Sequence, residues 1–214
     1  MTQQNILADE LAQRLTNDIT WRIVEVSAYK RASELSDEVK ASALRRAGVP
    51  LLYAHLEGFF SVATNLYVGF IARQNISLST LRPNFWALCV MHRRKASMIN
   101  SETQFFRFLL ELDGLVGNSF RKGRYERISA KSNLSSEVLL FGCEMLGLDT
   151  EKFVAYSEFL DQHLLPTRNF IAHGESHSIT LHKFDLFRDQ VVDLMRALKN
   201  EIENAAYTQA YIQN

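Results

Sequence analysis

Apolar residues recur along most of this chain at intervals of three and four, the spacing that lines one face of a helix. From Leu7 to Leu35, the positions Ile19, Ile23, Val26 and Ala28 to Tyr29 predict an amphipathic first helix. Ser36-Asp37-Glu38 then supplies a cap and early acids for a second helix carrying Val39, Ala43 and Leu44. That helix runs on past Pro50, where a kink is expected, through Tyr53, Leu56, Phe59, Phe60, Ala63, Leu66, Tyr67 and Phe70. It is apolar nearly all round, so it belongs at the centre of a core, at an interface between copies, or both. Glu57 stands out within it, because a carboxylate there must find a partner or face a cavity. His55 reads as a core histidine.

A connection from Gln74 to Pro83 leads to a short helix around Phe85, Trp86, Leu88 and Met91, which ends in His92-Arg93-Arg94-Lys95. A further apolar helix is expected at Phe105 to Leu112, before Asp113-Gly114 breaks it. A long loop follows, carrying the most basic stretch of the chain, Arg121-Lys122-Gly123-Arg124-Tyr125-Glu126-Arg127, with Lys131 beyond. Basic residues around an aromatic suit a phosphate backbone and a stacked base; the alternative is a solvated loop. Asn133 to Ser136 can cap a helix that Gly147 ends, and another runs from Thr150-Glu151 through Phe153, Tyr156, Phe159 and Leu160. Ser176 to His182 suits an extended linker. Phe184, Phe187, Val191, Leu194, Met195, Leu198 and Ile202 mark a closing helix, with Tyr207 and Tyr211 expected on a fraying tail.

Composition agrees with this pattern. The chain has 214 residues, 47% hydrophobic and 22% charged, the profile of one soluble domain. Three prolines and nine glycines leave little room for turns, and the expected fold is all-α. Basic and acidic side chains balance at 24 each, so any contact with nucleic acid has to be local. No apolar run is long enough for a membrane span, and the polar start, with Gln3, Gln4, Asn5, Asp9 and Glu10, does not read as a signal peptide, so a cytoplasmic location is expected. Cys89 and Cys143 lack ligand spacing, and His173, His177 and His182 lack a supporting carboxylate pattern. Neither a metal nor a cofactor is expected.

The candidate chemistry lies in Leu164-Leu165-Pro166-Thr167-Arg168-Asn169-Phe170-Ile171-Ala172-His173-Gly174-Glu175. Pro166 suits the first turn of a helix and Gly174 the residue past its end. Arg168 offers a permanently charged fork that fits phosphate oxygens, while histidine can exchange a proton near neutrality. Five positions turn a helix by roughly 140° and advance it about 7.5 Å, so one copy is poorly set to grip a phosphate from both sides. The same two residues could instead pair with a carboxylate and cap the helix.

This turn resembles the arginine, polar residue, three residues, histidine signature of the HEPN superfamily. Tyr53-Ala54-His55-Leu56-Glu57-Gly58-Phe59-Phe60 is similar to the segment that opens a bacterial HEPN-like nuclease family, and Trp21-Arg22 and Asn133-Leu134 fit the same family. The resemblance implies a helical bundle with extra helices, dimerising so that two motifs face each other across a cleft. It implies a metal-independent endoribonuclease, with His173 as acid or base, Arg168 as phosphate clamp and Asn169 as polar helper. Glu57, Arg121, Lys122 and Arg124 are expected on the RNA-binding side. A toxin or defence effector is the implied role, restrained by an antitoxin such as a minimal nucleotidyltransferase or coupled to other defence components. The alternative is a non-catalytic HEPN module that binds a nucleotide or a partner protein through Arg168 and His173.

Overall fold

The computed structural model describes residues 3–97, 99–115, 117–121, 123, 125–130 and 133–213. The chain is all-α. Helix α1 spans Gln3–Glu34, α2 Glu38–Arg73, α3 Pro83–Ala96, α4 Glu102–Leu112, α5 Ser136–Met145, α6 Glu151–Val154, α7 Leu165–Ala172 and α8 Leu181–Tyr207. A π-helical segment, Phe159–Leu164, runs straight into α7. Between α4 and α5 lies the long connection that carries the basic stretch.

Helix α2 is the axis of the fold. It starts where Asp37 accepts the Lys40 backbone N–H at 3.1 Å, and it continues through Pro50 as one helix. Val49, Leu52, Phe59, Phe60, Ala63, Tyr67, Val68 and Ile71 are all essentially inaccessible to solvent. A helix buried on so many sides needs cover from several directions, and α1, α5, α7 and α8 all pack against it. The stripe Leu7, Leu11, Leu15, Ile19, Arg22 and Val26 turns α1 toward the core, and Phe184, Phe187, Val191, Leu194, Leu198 and Ile202 do the same for α8. Helix α4 stands aside. Phe108 and Leu112 pack with Trp86 and Val90, while Phe105, Phe106, Leu109 and Leu110 stay exposed.

Three expectations need correction. The helix expected from Thr150 through Leu160 is broken after Val154, and the chain resumes in the wider π register, in which the Leu165 N–H reaches back five residues to Leu160. Pro166 accounts for the π register beside it. It donates no N–H, and its ring crowds the carbonyl four residues back, so the turn ahead of it widens. The basic stretch does not present its aromatic freely. Tyr125 is half-buried and stacked on Phe120 at 5.0 Å between ring centroids. Finally, the C-terminal tail does not fray. Tyr207 closes α8 and Tyr211 is buried, its ring edge-on to Phe70 at 5.7 Å and to Tyr67 at 6.5 Å. The Tyr211 hydroxyl donates to Gln74 Oε1 at 2.9 Å, and its carbonyl accepts the Arg82 N–H.

A tyrosine locked in this way carries weight in stability. Tyr211→Ala should lower the unfolding free energy by about 3–5 kcal/mol, the usual cost of emptying a large aromatic site. Urea denaturation monitored by circular dichroism measures it. A loss below about 0.5 kcal/mol, typical of a surface change, would return Tyr211 to a loose tail.

Candidate functional site

Pro166 lies in the first turn of α7, and the helix ends in a Schellman arrangement. His173 is the C-cap residue, Gly174 takes φ +80°, the Gly174 N–H reaches the Ile171 carbonyl at 3.1 Å and the Glu175 N–H reaches Phe170 at 3.0 Å. The left-handed conformation at residue 174 is why glycine is needed there. Two arginines of α2 hold the outgoing chain. Arg46 donates to the Glu175 carbonyl at 2.8 Å, and buried Arg45 donates to Ile179 at 3.0 Å while pairing with Glu38. The turn bearing His173 is therefore tied to α2 at its far end.

Arg168 is half-buried. Its guanidinium sits over the Tyr53 ring at 4.7 Å from the centroid, and its Nη1 donates to Asn169 Oδ1 at 2.9 Å. Asn169 thus steadies the arginine with its side chain, while its backbone carbonyl accepts the His173 N–H at 2.9 Å. The His173 ring is exposed at the helix end.

Tyr53 is the residue that sequence reasoning missed as part of the site. It is buried, and its hydroxyl oxygen accepts the Leu134 backbone N–H at 2.6 Å. Burial raises the phenol above its ordinary value; the Leu134 bond opposes this, Glu57 raises it further through its charge and a hydrogen bond, and the Arg168 charge opposes. The phenol stays protonated at neutral pH, and its oxygen accepts from Leu134. Glu57 follows one turn later on the same face of α2. Among the described residues no ion pair joins Glu57 to Arg168; Tyr53 stands as the link between them. The signal was present in the sequence as a tyrosine four residues ahead of a carboxylate on an apolar helix, but nothing local distinguished it from the core aromatics beside it.

The other residues of that stretch lock α1 to α2. Arg22 is buried, paired with Asp18 at 2.8 Å, set over the Trp21 ring at 4.5 Å and donating to the His55 carbonyl at 3.2 Å. Trp21 meets the His55 ring edge-on at 5.3 Å. Gly58 leaves room for this guanidinium, because a Cβ there would lie 2.8 Å from Arg22 Nη1. His55 is buried, as its reading as a core histidine required. Glu25 lies 3.1 Å from its Nε2 but outside hydrogen-bonding geometry, so that nitrogen has no hydrogen-bond partner. Desolvation holds the imidazole below its usual range, with Glu25 pulling the other way.

The remaining expected residues lie elsewhere. Arg121 is exposed, and its Nε donates to Asn75 at 2.6 Å beyond the end of α2. At 1.5 Å per residue it is roughly 30 Å along that helix from Tyr53, so within one chain it does not join Arg168. Lys122, Arg124 and Lys131 fall outside the described residues. Among the described residues no three His, Cys, Asp or Glu side chains gather where they could hold a metal ion. No helix among them is long and apolar enough to cross a membrane.

The arrangement joins an α2 tyrosine and carboxylate to an arginine and histidine on a capped helix. Residues 11–211 match the MAE_28990-like HEPN family, and the chain belongs to that family. No curated protein and no solved structure matches it.

Two substitutions separate the roles of Tyr53. Tyr53→Phe keeps the ring under Arg168 but leaves the buried Leu134 N–H without its acceptor, a loss of about 1–3 kcal/mol; Tyr53→Leu should cost more, because the guanidinium also loses its platform. Equal urea midpoints for Tyr53→Phe and the parent would show that the hydroxyl holds nothing.

His55 generates a pH prediction of definite sign. Its folded value is lowered, so below about pH 6.5 the unfolded chain binds the proton more readily. Its contribution is complete above that pH and is lost as pH falls. Thermal unfolding of His55→Gln between pH 7 and pH 5 should therefore show a shallower decline than the parent. Parallel declines would show that His55 does not contribute.

Proposed function

We propose that this HEPN protein is a metal-independent endoribonuclease that cleaves RNA through attack of a ribose 2′-hydroxyl. The observation that carries the proposal is the pairing of a guanidinium held by Tyr53 and Asn169 with an exposed histidine on the same short helix. Packing limits the freedom of Arg168, so a positive charge is in place before a substrate arrives, which is what stabilising charge on a phosphate requires. His173 sits at the surface, where its ring can take the 2′-hydroxyl proton or return one to the leaving 5′-oxygen. Glu57 acts through Tyr53 as a positioning residue. DNA lacks the attacking hydroxyl and is not a substrate.

The working unit in this proposal is a homodimer whose two α7 turns face each other. One support is the helix geometry, which directs Arg168 and His173 of a single copy in different directions. Another is the exposure of Phe170, 44% accessible beside His173, which offers an apolar anchor for a second copy. Such an enzyme requires restraint in the cell, so a toxin or defence role with an antitoxin or another defence component as partner belongs to the same proposal.

A labelled RNA incubated with the protein in excess chelator tests it. The parent should leave 2′,3′-cyclic phosphate and 5′-hydroxyl ends, and Arg168→Ala and His173→Ala should each slow cleavage by at least about a hundredfold, the scale of a lost acid, base or charge stabiliser. Light scattering on the same samples should show a dimer. A folded parent that binds an anionic nucleotide in an Arg168-dependent way and never cleaves RNA would favour a binding module instead.

A further inference from the structure

A second feature lies on the same side of α2. Helices α3 and α5 and the extended segment 126–129 enclose an open groove of about 680 Å³, within the roughly 300–1,000 Å³ of ligand-binding clefts. Its wall is apolar, made by Met91, Ile128, Val138, Phe141 and Met145, with Phe141 53% and Met91 38% accessible. Arg94 and Arg127 rise at its edge, and among the described residues neither has a carboxylate partner. Glu126, the acid in the groove wall, is occupied by Lys95. The groove therefore combines an exposed aromatic ring with two uncompensated guanidinium groups.

The position of the groove follows from the helices that frame it. Leu134, whose N–H binds the Tyr53 hydroxyl, lies four residues before Val138, just ahead of the Ser135 cap of α5. On α2, Phe60 lies under Gly142 at the groove floor, and Asn65 donates to the Ile128 carbonyl at 2.7 Å. Phe60 is seven residues past Tyr53, or about 10 Å along the axis, which is about three nucleotides of a stacked strand at 3.4 Å each. A stacked strand with one phosphate at Arg168 spans a separation of this order within a few nucleotides, enough to place the next ones in the groove.

We infer that this groove is a subsite for single-stranded RNA, in which a base lies against Phe141 while flanking phosphates meet Arg94 and Arg127. The inference rests on the ribonuclease reading for what occupies Arg168, but the groove stands on its own observations. A flat apolar surface with cations at its edge suits a single strand, whose bases stack on rings and whose phosphates need fixed positive charge. It also offers a chain with no net charge a local concentration of positive charge for a nucleic acid.

The test uses a fluorescent single-stranded 2′-O-methyl oligonucleotide, which cannot supply the attacking hydroxyl, and reads anisotropy against salt. The intact chain should bind it. The Arg94→Ala/Arg127→Ala double variant should bind about 10- to 100-fold more weakly, with its logarithmic salt slope reduced by about 1.4, or about 0.7 for each lost phosphate contact on a single strand. Phe141→Ala should weaken binding about tenfold while leaving that slope unchanged. With cleavable RNA the same variants should raise KM and leave kcat nearly unaltered. All three side chains are at the surface, and matching thermal unfolding curves confirm that the variants fold. Unchanged affinity and slope in both variants would overturn the subsite even if the parent cleaves RNA. Groove-dependent binding without any cleavage would uphold the subsite while removing the ribonuclease reading. Binding of a polyglutamate peptide but not of the oligonucleotide would overturn the subsite in favour of a protein partner.

Discussion

A 36-residue helix that is apolar on nearly every side cannot lie against water, and the protein is organised around covering it. Helices α1 and α8 cover α2 along much of its length, α7 closes one face near Tyr53, and α5 closes the face beyond. Polar groups on such a helix survive only where something satisfies them. The hydroxyl of Tyr53 meets a backbone N–H from the start of α5, while its ring carries a guanidinium from α7. The requirement that buried polar atoms be paired thus gathers three distant stretches of chain at one point.

That convergence gives the resemblance to HEPN proteins a physical meaning. Trp21-Arg22 and His55 to Gly58 join α1 to α2 through a buried arginine that packs over glycine. Leu134 ties α5 to Tyr53, and Arg168 rests on the same tyrosine. Stretches far apart in sequence form a continuous chain of contacts leading to the α7 turn. The π segment belongs to this chain as well. Asp161 within it accepts both the Ser136 backbone N–H and the Ser136 hydroxyl, which fixes the start of α5 against the approach to α7.

The division of labour within the motif turn is also physical. Arg168 is held from beneath by an aromatic face and from the side by Asn169, whereas His173 is left at the surface by the helix ending at Gly174. In the ribonuclease we propose, the charge that stabilises the phosphate benefits from being fixed in advance. In the same proposal, the group that exchanges protons benefits from access to substrate and solvent.

Periodicity and capping residues were enough to place α1, α2, α3, α4, α5 and α8, because amphipathic spacing and caps such as Asp37 and Ser135 are local properties of the chain. The ends of α7 were legible for the same reason, since Pro166 and Gly174 constrain their own backbone. Residues whose role depends on distant partners were not legible. Tyr53 looks like any core aromatic until Leu134 and Arg168 meet it, and Tyr211 looks like tail until Tyr67, Phe70 and Gln74 enclose it. The basic loop shows the converse: its charge is evident in the sequence, yet packing of Phe120 takes one face of Tyr125 and the length of α2 separates Arg121 from Arg168. Local sequence governs where the backbone can turn and which face is apolar, whereas a side chain's task is settled by which remote groups the packed helices bring within a few ångströms of it.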